Sequence, residues 1–135
     1  MKRITVLSLI MLLVSFYGFS KSRKINAGNQ VIVEISYGKD LKEKQVSIAW
    51  EENLTALEAL QKVADVKTHP IKNYVFVIEI DDVLAKRGDM AWYYSINGTL
   101  PRKLAIQQPV LPGDTIRWRY VKDVCSGKVD GCKTN

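Results

Sequence analysis

One histidine and two cysteines are all that this 135-residue chain offers as imidazole or thiol groups. His69 has no second histidine with which to form a His-Glu-x-x-His pair, and no Cys-x-x-Cys is present, so metalloprotease and dithiol redox chemistry are excluded. No glycine-rich phosphate loop, internal repeat or low-complexity tract occurs. Asp81-Asp82 and Glu51-Glu52 are adjacent acids, which point to opposite faces of an extended segment and make poor acid–base couples. No Ser/His/Asp or Cys/His set can be assembled, and the reading is that the protein is not an enzyme. Twenty basic against 14 acidic residues give a formal charge of +6, a mild bias toward anionic partners and far from a nucleic-acid footprint.

The apolar run is short as well. Met1-Lys2-Arg3 is followed by an apolar stretch over residues 4–19 and then by Ser20-Lys21-Ser22-Arg23-Lys24. A basic start, a short apolar core and small residues at Gly18 and Ser20 predict a cleaved secretory signal over residues 1–20, with a retained N-terminal anchor as the alternative. Cleavage would remove Lys2 and Arg3 and no acid, lowering the formal charge by two, from +6 to +4. The mature chain is then secreted, periplasmic or on the cell surface, without stable membrane insertion. In such a compartment Cys125 and Cys132, which flank a loop containing Gly127 and Gly131, read as one local disulfide, with unpaired thiols as the alternative.

What remains is one domain. Residues 21–29 form a flexible leading segment, residues 30–122 the domain, and residues 123–135 a tail that carries the cysteine loop. Val31, Val33 and Ile35 alternate with polar neighbours, as do Val46, Ile48 and Trp50, and a turn at Gly38-Lys39-Asp40 makes the two runs a hairpin. Thr55-x-x-Glu58 is a capping box that opens a short helix bearing Leu57, Leu60, Val63 and Ala64 on one stripe. The helix is expected to end before a turn at Thr68-His69-Pro70, where His69 is either a loop residue or a metal ligand. A strand then follows with Tyr74, Phe76, Ile78 and Ile80 on one face.

Trp92-Tyr93-Tyr94-Ser95-Ile96-Asn97-Gly98 places Trp92, Tyr94 and Ile96 on the core face, and Asn97-Gly98 predicts a type I′ turn because both residues tolerate φ > 0. The chain returns through residues 99–106, turns at Pro112-Gly113-Asp114, and ends in a strand with Ile116, Trp118 and Tyr120 inward. The three tryptophans thus share one aromatic-rich core. The order predicts an α+β, β-grasp-like fold: a mixed sheet of four to six strands with one helix packed on one face.

Two surface features could bind. Tyr93 projects opposite the core, near Asn97, and could stack on a planar ligand or simply pack on a neighbouring strand. Arg117 and Arg119, with Lys122, Arg102 and Lys103, could form a basic face for phosphate, carboxylate or an anionic glycan, or a solvated strand face. The sequons at Asn53 and Asn97 are better explained by the cap at Thr55 and the turn at Asn97.

The segments TALEALQKVA, YVFVIEIDDV, WYYSING and LPGDTIRWRY, in that order, resemble the transcobalamin-like C-terminal domain family over residues 31–120. The most specific pieces are Trp92, Tyr94, Ile96, Asn97 and Gly98, and then Gly113, Asp114, Ile116 and Trp118. That family is the small β-grasp module at the end of intrinsic factor and transcobalamin, and part of many bacterial surface proteins. The resemblance implies a corrinoid such as cobalamin as ligand, held between this module and a partner that supplies the other half of the pocket. The expected function is an exported small-ligand-binding module, with Tyr93, Asn97, Arg117 and Arg119 as its candidate ligand residues. The competing class is a cell-surface protein- or glycan-interaction module with no small ligand.

Overall fold

A computed structural model describes residues 28–124, so the expected leader and the Cys125 and Cys132 loop lie outside the described residues. Strands β1 (Gln30–Ser36) and β2 (Lys44–Ala49) precede one helix, α1 (Ala56–Gln61). Strands β3 (Val66–Ile71), β4 (Tyr74–Ile80), β5 (Val83–Leu84), β6 (Met90–Ile96) and β7 (Thr115–Lys122) follow. The strands form two sheets: a four-stranded one in the order β2-β1-β7-β6 and a three-stranded one in the order β3-β4-β5. The first is mixed, as expected, because β1 and β7 run parallel while its other pairs are antiparallel. The second is a finding that the single-sheet expectation did not contain.

Val31, Val33 and Ile35 of β1, Ile116 and Trp118 of β7, and Trp92 of β6 form the inner face of the larger sheet. Against them lie Leu57 and Leu60 of α1, Ile80 of β4, and Val110 from the long connection before β7. Trp50 joins from the edge, its indole N–H donating to the Val110 carbonyl at 2.8 Å. The alternation that predicted this core holds because β1, β2, β6 and β7 pair without a register shift. The capping box is present as read, with Thr55 and Glu58 exchanging hydrogen bonds.

Three expectations are corrected. The residues Thr68, His69 and Pro70 lie inside β3 and form no turn, and the helix stops sooner, with its C-cap at Lys62. Proline forces its predecessor into extended backbone, which suits a strand as well as a turn, and β3 is an edge strand that can spare a donor. Tyr74 and Phe76 point outward, with Val75 and Val77 on the core side instead. The pairing steps from Lys67↔Glu79 to Thr68↔Val77, leaving Ile78 as an extra residue, and this bulge reverses the parity between Val77 and Ile80. Finally, residues 99–106 return without a strand beyond the bridge Ile96↔Thr99. Pro101 has no N–H to continue a ladder there, so β6 pairs with β7 instead.

Candidate functional site

Tyr93 and Arg119 face each other directly across β6 and β7, and Arg117 lies opposite Ser95 one step along the same outer face. Three of the four candidate ligand residues are therefore brought together. Arg117 is engaged, its Nε 3.3 Å from Glu34 and a terminal nitrogen 3.7 Å from Glu43. Arg119 is exposed and makes no ion pair among the described residues. The Tyr93 hydroxyl lies 3.4 Å from Asp123. Lys122 shares the parity of Trp118 and Tyr120, and Arg102 and Lys103 belong to the loop after β6, so the basic face reduces to the two arginines.

Asn97 does not join this group. Its φ of 50° and the 79° of Gly98 make the predicted turn, and its side chain donates to Asp114 at 2.8 Å while accepting from the Thr115 N–H at 2.9 Å. Asp114 also accepts from the Leu111 N–H, and the Gly113 N–H donates to the Gln30 carbonyl. These motif residues fasten the ends of β6 and β7 together. A cleft of about 370 Å³ lies here, lined by Ile96, Thr99, Pro101, Gln108, Pro109, Leu111 and Asp114, but its carboxylate is already committed.

A larger groove opens where the two sheets meet. The turn Asp81-Asp82, with φ of 45° and 66°, carries β4 into β5 and aims Asp81 back at the first hairpin. The Tyr37 hydroxyl, the Lys44 ammonium at 3.0 Å and the Asp65 N–H at 2.9 Å all donate to that one carboxylate. Burial alone would raise the Asp81 carboxyl, but the hydrogen bonds from Tyr37, Asp65 and Lys44 outweigh it and hold the group below the usual range. Burial, and then the Asp81 carboxylate, push the Tyr37 phenol well above its ordinary value. The hub ties the β1–β2 loop to the second sheet.

The groove beside this hub measures about 490 Å³. Tyr37, Gly38, Leu41, Val83, Leu84, Met90 and Tyr120 make its walls, and Lys39, Asp40, Asp82 and Lys86 its polar rim. Trp92 supports the wall from behind, edge-on to Tyr37 at 5.9 Å and tilted against Tyr120 at 5.1 Å. Its indole N–H donates to the Val83 carbonyl at 3.0 Å, and the Tyr120 hydroxyl donates to the Leu84 carbonyl at 2.8 Å. Aromatic faces are thereby fixed in place. Sequence reading did not assemble this site. One signal was available: the inward alternation of Val31, Val33 and Ile35 continues to Tyr37, beyond the end of the strand.

His69 is exposed on β3 opposite Phe76, and its side chain has no hydrogen-bond partner among the described residues. Among those residues no group of three or more histidine, cysteine, aspartate or glutamate side chains is placed to hold a metal ion.

No curated protein matches this sequence. Among solved structures, a protein from Ruminococcus gnavus ATCC 29149, provisionally described as metal-binding, is similar with a TM-score of 0.58 and 18% identity. The likeness covers 70% of this chain and 98% of that one. Haptocorrin in complex with Cbi is similar with a TM-score of 0.54 and 14% identity, covering 72% of this chain and 26% of haptocorrin. This chain thus spans about a quarter of haptocorrin's length. At such identities these likenesses show a shared fold. Residues 53–122, more than half of the sequence, match the family described as "Domain of unknown function (DUF4430)", and the chain belongs to that family.

Proposed function

We propose that this chain is an exported, non-enzymatic module that holds a small ligand, a corrinoid or another planar molecule, in the groove between its two sheets, together with a partner protein. The observation that carries this reading is the pre-formed aromatic wall of Tyr37 and Tyr120, backed by Trp92, in a groove of about 490 Å³. Ligand sites are typically apolar concavities of roughly 300–1,000 Å³ with a few convergent polar groups. The similarity of fold to haptocorrin in complex with Cbi, and the resemblance of the WYYSING and LPGDTIRWRY segments to the transcobalamin-like β-grasp module, support a corrinoid. The groove is open, and Leu41 and Leu84 stand 52% exposed at its margin. A partner that covers them would complete the enclosure. Calorimetric titration of the chain with cobalamin tests the corrinoid version: binding in the micromolar range or tighter is expected, and no heat at high micromolar cobalamin overturns it.

A second reading rests on Arg119, exposed beside Tyr93 and Arg117 on the outer sheet face. Such a face suits a carboxylate-bearing partner. Reversal of Arg117 and Arg119 to Glu leaves a groove ligand unaffected and abolishes binding of an anionic partner, which separates the two.

A further inference from the structure

The smaller sheet turns apolar side chains toward water. β5 pairs only with Glu79 and Ile80, so residues 68–77 of β3 and β4 run beyond it as a two-stranded arm. On the outer face of this arm Ile71 lies opposite Tyr74, and His69 opposite Phe76. Ile71 is 50% exposed, Tyr74 51% and Phe76 43%, and every residue from His69 to Tyr74 is exposed. The solvent face of an antiparallel sheet ordinarily carries polar residues. A cluster of this kind marks a contact surface.

The charges on the arm have one sign. Residues 66–78 contain Lys67 and Lys72 and no aspartate or glutamate. Glu79, level with Lys67 on the same face, is neutralised by its ion pair with that lysine. Lys72 stands at the apex and makes no ion pair among the described residues. Its φ is 53°, a left-handed conformation that glycine or asparagine adopts at less cost. Lysine is a poor fit to that backbone, which points to its ammonium as the reason for its place.

We infer that the outer face of the β3–β4 arm docks on an anionic lipid surface, with Ile71, Tyr74 and Phe76 at the boundary between headgroups and acyl chains and the Lys72 ammonium on a lipid phosphate. The mixture of groups selects this occupant. A soluble anion is held by several convergent donors, and the apex offers a single unpaired ammonium. A folded partner also reads fixed polar groups, of which this face has few. Aromatic and aliphatic side chains beside a lysine that can reach outward, with no uncompensated carboxylate, match the chemistry of a headgroup layer.

The test uses the full chain carrying Tyr74→Trp, and vesicles of phosphatidylcholine with about 30% phosphatidylserine whose brominated acyl chains quench a nearby indole. Residues 4–19 are themselves apolar, so total partitioning is uninformative and the readout is local to the arm. The unsubstituted chain, with Trp50, Trp92 and Trp118, gives the background. Quenching well above it is expected. Adding Lys72→Gln should weaken that quenching about fivefold, the share of one lysine at an anionic surface, and Ile71→Ser with Phe76→Ser about tenfold or more. An unchanged urea midpoint in each variant separates lost contact from lost fold. Quenching no greater than background overturns the inference. So does quenching that is equally strong on phosphatidylcholine alone or indifferent to these substitutions, or an arm that ignores lipid and takes up only a protein partner.

Discussion

Asp81 gathers a phenol, an ammonium and a backbone N–H onto one partly buried carboxylate, and the position of the second sheet depends on it. Asp81→Ala leaves those donors without their acceptor, and equilibrium urea unfolding should show a loss of about 2 kcal/mol. The pH dependence follows from the two shifts. Asp81 is lower in the folded state, so its contribution is present above the unfolded value of about 4 and lost as pH falls through the folded one. Tyr37 is raised, so its contribution is full below about pH 10 and lost as pH rises further. Unfolding across a pH series should show both limbs, and the acid limb should shrink in the Asp81→Ala variant. At this scale the sequence was partly legible. The Asn97-Gly98 turn was readable because it is local, whereas the bonds from Asn97 to Asp114 and Thr115 span 17 and 18 residues and leave no periodic trace. The side chain of Asn97 is accordingly committed to clamping β6 to β7.

The helix α1 shows what holds a single element. Six residues are too few to be helical alone, so the cap at Thr55 and the burial of Ala56, Leu57, Ala59 and Leu60 must hold it. Thr55→Ala should cost about 1 kcal/mol, read as a lowered denaturation midpoint with the slope unchanged. Strand faces were legible where the ladder is regular, as in β1, β6 and β7. They were not in β4, where one extra residue at Ile78 exchanges inside for outside and leaves Tyr74 and Phe76 tilted against each other at the surface, their ring centroids 6.2 Å apart. A bulge is set by the partner strand, which a period-2 pattern does not contain. Pro70 misled for a related reason, since its extended predecessor fits an edge strand and a turn equally.

For the whole molecule, the division into two sheets could not be read from element order, because order does not say which strands share hydrogen bonds. The groove inherits that difficulty. Tyr37, the Asp81-Asp82 turn, Met90 and Tyr120 come from four separate segments, and only the docking of the smaller sheet against the first hairpin brings them together. Tyr93, Arg117 and Arg119 lie on adjacent strands of one regular ladder, so strand parity alone puts them on one face. The central claim is that a small planar ligand occupies the groove beside Asp81. Backbone amide NMR of the labelled chain, titrated with cobalamin, tests it most directly. Saturable shifts centred on Gly38, Leu41, Asp82, Leu84 and Met90 are predicted, and shifts confined to the Tyr93–Arg119 face, or no shifts at all, would contradict it.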